Sequence, residues 1–146
     1  MTMPQSLADL GLKTMNRLHR LVLRLSGGRV LSSAFGMSVV DLRTVGRVSG
    51  LPRSTLLTAP VMDGARVVLV ASKGGDDRDP EWFRNLMARP EAELIIDGQR
   101  RAVSARRASA DEKAELWPQV VAAYPGYAEY QRRTERDIPL VICEPR

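Results

Sequence analysis

The chain has 146 residues, 44% of them hydrophobic and 27% charged, with a net charge of +5. That is enough for one domain with a sizeable core. A single cysteine, Cys143, excludes an internal disulfide, and the lone histidine, His19, leaves no His/Cys cluster for a protein-built zinc site. No stretch approaches the roughly 18 apolar residues of a membrane span.

The charge is uneven. Residues 1–37 hold five basic side chains and one acid, a net of +4, against 17 and 16 in the remainder, a net of +1. Within this arm, residues 6–26 read as an amphipathic helix with Leu7, Leu10, Leu18, Leu21, Val22 and Leu25 on one face. Lys13, Arg17, Arg20 and Arg24 form a stripe opposite, and Gly27-Gly28 stops the helix. The same arginines interrupt the only apolar run that could serve as a secretion signal. Two readings of the basic face stand: packing on the domain with a solvated charged side, or weak contact with an anionic membrane surface.

From residue 38 the period becomes that of strands. Ser38–Thr44 is a first strand, Arg53–Met62 a second, and Ala65–Ser72 a third, joined to the second by the turn Asp63-Gly64. Val67-Val-Leu-Val70 is apolar enough for burial on both faces. Gly74–Asp79 is a polar loop, after which Asp79 is placed to cap a helix with Pro80 at its first position. Trp82, Phe83, Leu86 and Met87 form the expected packing face, and the helix ends before Pro90. Glu91–Ile96 and Gln99–Ala108 make a hairpin around Asp97-Gly98. Ser109-Ala-Asp-Glu112 is a capping box opening a helix that Pro118 should kink or restart. A short piece carries Tyr127 and Tyr130, and Leu140–Glu144 is the last strand, with Cys143 as a small buried hydrophobe. Six strands, mostly in hairpins, with two or three helices between them predict a small antiparallel barrel flanked by helices.

The residues that can carry chemistry lie mostly in two loops. Gly46, Arg47, Ser49, Gly50, Pro52 and Arg53 form one basic, glycine-interrupted turn, and Ser72, Lys73, Gly74 and Gly75 form the other. Such loops present backbone N–H groups and cations to a bound anion, although the first fits neither standard phosphate-loop spacing. Two tight turns with solvated arginines are the competing reading. Hydrolytic machinery is missing: no serine has an evident base, and no acid pair suits glycoside chemistry. Asp76-Asp77-Arg78-Asp79 reads as a solvated loop in preference to a metal site. With 5% aromatic residues and no RNA-binding signature, nucleic acid is not an expected partner. Redox work on a bound cofactor needs few protein catalysts and remains open.

Several segments, taken in order, resemble the deazaflavin-dependent nitroreductase family, which uses coenzyme F-420. They are Thr44-Val-Gly-Arg-Val-Ser-Gly-Leu-Pro-Arg53, Ala71-Ser-Lys-Gly-Gly75, Pro80-Glu-Trp-Phe-Arg-Asn-Leu86, Leu116-Trp-Pro118, Tyr124-Pro-Gly-Tyr-Ala-Glu-Tyr130 and Ile138-Pro-Leu-Val-Ile-Cys-Glu-Pro145. The resemblance implies a split β-barrel over residues 38–146, of the flavin-reductase and pyridoxamine-phosphate-oxidase type, behind the helical arm of residues 1–37. It implies hydride transfer from reduced F-420 to a nitro compound, quinone or activated alkene. It places Ala71 and Ser72 along the deazaflavin, and Thr58, Tyr124, Tyr127 and Tyr130 around the acceptor, with Ser72, Tyr127 or Tyr130 as hydrogen-bond or proton donors. Three positions depart from the family pattern: Val48 and Met87 stand where lysine is usual, and Leu56 where proline is usual. Thr58 replaces a pocket tyrosine of a close member. A flavin-mononucleotide reductase on the same barrel and a non-catalytic F-420 or quinone carrier are the alternatives. The expected location is cytoplasmic, with the inner membrane face as a further option, and monomer and homodimer both fit the sequence.

Overall fold

A computed structural model describes residues 33–34 and 36–146. The helical arm predicted for residues 1–37 therefore lies almost wholly outside the described residues. The strands are β1 (Ser33–Ala34), β2 (Met37–Val45), β3 (Pro52–Ala59), β4 (Val61–Asp63), β5 (Arg66–Val70), β6 (Glu91–Ile96), β7 (Gln99–Arg107) and β8 (Leu140–Pro145). The helices are α1 (Glu81–Ala88), α2 (Ala110–Ala123) and α3 (Gly126–Arg132), with a single 3-10 turn at Lys73–Gly75.

Every strand pair is antiparallel, in the order β1-β2-β6-β7-β8-β5-β4, and β3 pairs with β2. The expected second strand is broken at Pro60, which separates β3 from β4. Proline has no N–H to give a ladder, so the strand bends there. Before the bend it pairs with β2, with Thr44 opposite Arg53; after it, Val61 pairs with Val68 of β5. The bend thus brings the sheet round on itself, as a split barrel requires.

Alternation along β5 and β8 divides the core in two. Val67, Leu69, Val141 and Cys143 face a cluster that includes Leu42, Leu94 and the α1 residues Trp82, Phe83 and Leu86. Val68, Val70, Leu140 and Ile142 face a second cluster with Leu116 and Val120 of α2 and Tyr127 of α3. The apolar run at 67–70 is therefore buried on both faces, as its composition predicts. Cys143 is fully buried, and burial pushes its thiol up to about 12.

Two helix starts differ in their agreement with the sequence. The Ser109 box is complete: its hydroxyl accepts from the Glu112 N–H at 3.1 Å, and the Glu112 carboxylate accepts from the Ser109 N–H at 2.9 Å. α2 then runs through Pro118 without interruption. At α1, by contrast, Pro80 is the cap residue, and Asp79 instead accepts a bond from Arg136 at 3.1 Å. The carboxylate is drawn to a cation from the far end of the chain, where a charge-assisted bond outweighs a cap.

Candidate active site

The first basic loop closes on itself and then onto α1. Gly46 N–H donates to the Leu51 carbonyl and Gly50 N–H to the Gly46 carbonyl, both at 2.8 Å. A Cβ at Gly46 would lie 2.6 Å from Ser49 Oγ, so a larger residue there would force that hydroxyl away from Arg53 and the Leu51 N–H. The Arg47 N–H donates to Asn85 Oδ1 at 3.1 Å, and its guanidinium donates to the same oxygen at 3.0 Å and to Glu81 Oε2 at 2.7 Å. Arg47 is thus committed to α1. Arg53 is exposed, and the one hydrogen-bond partner of its side chain among the described residues is Ser49 Oγ at 3.2 Å. Val48, at the tip, is 90% exposed.

The second loop is unusual in its backbone. Lys73, Gly74 and Gly75 have φ of +45°, +64° and +87°, three left-handed residues in a row. Gly75 is pressed against α3, and a Cβ there would meet the Tyr130 carbonyl at 2.8 Å. Ser72 is 8% exposed, and its carbonyl accepts from the Gly75 N–H at 2.9 Å. Ala71 is fully buried in the barrel core, with its N–H committed to the Pro139 carbonyl at 2.9 Å.

The two loops meet electrostatically at the start of α1. The Glu81 carboxyl is held below the usual carboxylate range, first by the Arg47 hydrogen bond and then by the charges of Arg47, Arg84 and Lys73. A cation from each loop therefore acts on one carboxylate.

The tyrosines gather on the outer face of β3. Arg53, Thr55 and Leu57 share the barrel-side parity of that strand, since Leu57 packs on the inner core; Thr58 takes the other parity. Thr58 Oγ1 and Tyr127 Oη are 2.9 Å apart in a hydrogen bond. The Tyr124 and Tyr127 rings meet edge-on at 5.2 Å, and Tyr130 lies 6.1 Å from Tyr127. Burial raises the Tyr127 phenol, partly offset by the Thr58 bond. Burial, together with a hydrogen bond involving Tyr124, pushes Tyr130 up to about 12. Both phenols stay protonated near neutral pH and can donate a hydrogen bond.

The family model of the F-420H(2)-dependent quinone reductases matches residues 15–145. The chain belongs to this family. An F-420H(2)-dependent quinone reductase of Mycobacterium tuberculosis is 37% identical over 135 residues, 89% of each chain. A solved F-420-H2-dependent reductase, FDR-A, is 36% identical, with a TM-score of 0.66 over 73% of this chain and 93% of its own. A solved domain-swapped dimer is 30% identical, with a TM-score of 0.69 over 90% of this chain and 99% of its own. The cofactor is coenzyme F-420, and the enzyme is a reductase that passes a hydride from the reduced cofactor to a quinone-type acceptor. The expected split barrel and the resemblance carried by the motifs both hold.

The residues present suit this cofactor. Its phosphodiester and carboxylates need cations and close backbone approach, and the exposed Arg53 beside the Gly46–Gly50 turn offers both. A Cβ at Gly74 or Gly50 would meet nothing within 4 Å, so the backbone is open there. Trp82 is 7% exposed and edge-on to Phe83, as a packing residue should be. The acids of the 76–79 loop are taken up by Arg78, Thr134 and Arg136. Two residues that organise the loops have no site role in the sequence reading: Arg136 lies outside the motifs, and Asn85 lies within Pro80–Leu86 without one. Their signal in the sequence is faint: an asparagine one turn into α1 and one arginine among many.

Proposed function

We propose that the two glycine loops together hold the anionic part of F-420 at the start of α1, and that the Thr58–tyrosine face receives the acceptor. The observation that carries this reading is geometric: the exposed Arg53 stands beside the tight Gly46–Gly50 turn, and Lys73–Gly75 form a left-handed run whose backbone is open at Gly74. On this reading Arg53 and Lys73 supply charge-assisted bonds to phosphate or carboxylate oxygens. Gly46, Ser49, Gly50 and Pro52 shape one side of the cradle, with Arg47 anchoring it, and Gly74 and Gly75 shape the other. Ala71 acts through its backbone and Ser72 borders the ring. Tyr124, Tyr127 and Tyr130 line the acceptor pocket, where a protonated phenol steadies a developing oxyanion. The bound cofactor supplies the hydride; the protein's task is to orient the acceptor and exclude water.

A fluorescence titration with F-420, against flavin mononucleotide and NADPH, tests the cradle. Arg53→Ala and Lys73→Ala should each weaken F-420 binding by roughly 1.5–3 kcal/mol, the range for a bond to a charged group. That is about 10- to 150-fold in Kd. Unchanged affinity in both folded variants would remove these side chains from the site. Nitro compounds and activated alkenes extend the acceptor range on this reading, and turnover of each beside menadione checks it. For the basic arm, the +4 charge of residues 1–37 supports weak contact with an anionic bilayer at the cytoplasmic face. Sedimentation with anionic vesicles should fall as salt rises; no binding at low salt would leave packing on the domain.

A further inference from the structure

The left-handed run at Lys73–Gly75 is held from behind by the segment after α3. Arg136 makes three bonds to it with one guanidinium. Nη2 donates to the Ser72 carbonyl at 2.9 Å, Nε to the Asp76 carbonyl at 2.8 Å, and Nη1 to Asp79 Oδ1 at 3.1 Å. The two carbonyls bracket the run, so one rigid planar group sets the distance across it. The side chain is only 15% exposed, which shields these bonds from water. Its backbone is fixed in turn: the Arg136 N–H donates to Thr134 Oγ1 at 3.2 Å, and that hydroxyl donates to Asp77 Oδ1 at 2.8 Å. Arg133 adds a bond to the Gly74 carbonyl at 3.2 Å.

Lys73 is the telling residue. A lysine at φ +45° is held in a sparsely populated region, and such conformations persist only where the surroundings over-determine them. Without the bracket, Lys73 would relax towards ordinary φ and its ammonium would swing away. A lysine at 136 could not replace the arginine, because an ammonium is a point donor without the planar fork that reaches three acceptors at once.

We propose that Arg136 is a positioning residue for F-420: it keeps the Ser72–Gly75 loop in the shape that receives the cofactor, without touching the cofactor itself. This rests on the reading of that loop as part of the cofactor cradle.

The test uses the full chain, with F-420 fluorescence titration and steady-state kinetics on Arg136→Ala, Arg136→Lys and Lys73→Ala, each checked for an intact fold by thermal unfolding. Both Arg136 variants should raise the Kd and KM for F-420 about tenfold or more, the loss expected when Lys73 no longer makes its charge-assisted bond. The KM for menadione at saturating F-420 should stay near wild type, a split that general loosening of the fold would not give. Millimolar guanidinium should restore part of the F-420 affinity of Arg136→Ala, while the same concentration of sodium chloride should not. If Arg136→Ala does not fold, Arg136→Lys decides by the same two readouts. Wild-type F-420 affinity in a folded Arg136 variant, or a defect that falls on menadione, overturns the proposal. If Lys73→Ala loses affinity while the Arg136 variants do not, positioning fails and the cradle stands. If Lys73→Ala binds F-420 as wild type does, the Lys73 ammonium has no part in holding the cofactor, and this proposal fails while Arg53→Ala still tests the rest of the cradle.

Discussion

Replacing Gly75 by alanine should be far more damaging than the same change one residue earlier. At both positions φ is positive, +64° at Gly74 and +87° at Gly75, so a Cβ is strained at either. That conformational cost is about 1–2 kcal/mol. The surroundings differ. At Gly74 the new methyl meets nothing within 4 Å, whereas at Gly75 it would lie 2.8 Å from the Tyr130 carbonyl and 2.9 Å from Arg133 Cβ. Both neighbours belong to the C-terminal end of α3 and its cap, and a backbone carbonyl cannot step aside as a side-chain tip can. Overpacking of this kind adds about 1–3 kcal/mol. Gly75→Ala should therefore cost about 2–5 kcal/mol in all, against about 1–2 for Gly74→Ala. For a domain of this size, each kcal/mol lowers Tm by roughly 3–5 °C. Thermal unfolding monitored by circular dichroism, with the two variants and wild type side by side, gives the ordering directly. Gly75→Ala should also push α3 away from the loop and weaken F-420 binding. Equal Tm values for the two variants would mean that α3 does not rest on Gly75, and that this loop is held in some other way.

Thr58→Val should leave the buried Tyr127 hydroxyl without its 2.9 Å partner, at a cost of about 1–3 kcal/mol. On the proposed division of the site it should alter the acceptor KM and spare the F-420 Kd; the reverse pattern in steady-state kinetics would contradict that division. Glu112 gives a pH-dependent prediction. The hydrogen bonds from the Arg106 guanidinium, and then the Ser109 N–H, hold its carboxyl down to about 2. A group lowered in the folded state stabilises above its unfolded value and loses that contribution as pH falls towards the folded one. The Tm gap between wild type and Glu112→Gln should therefore be full above about pH 5, and close as pH approaches 2. A gap that is constant across that range would show that the Arg106 pairing does not matter to folding.

Local chemistry made much of this protein legible in its sequence. The Asp97-Gly98 hairpin, the Ser109 capping box and the doubly buried run at 67–70 were readable because each depends on neighbours in the chain, through turn geometry, reciprocal capping or hydrophobic period. The two basic loops were visible for the same reason, as glycines and cations clustered within a few residues. The order of motifs along the chain carried the family. Only the tertiary structure decided how each arginine is committed. Arg47 and Arg53 look alike in sequence, yet Arg47 is bound to Glu81 and Asn85, 34 and 38 residues away, while the Arg53 guanidinium meets, among the described residues, the hydroxyl of Ser49. Asp79 has the sequence of a helix cap, but Arg136, 57 residues later, takes its carboxylate. The strand that bends at Pro60 likewise needed both its partners, β2 and β5, before its break could have a meaning. In each case a side chain or backbone group had several partners of similar local merit. The choice fell to the one that the closing of the barrel brought within bonding distance, and chain order does not record that distance.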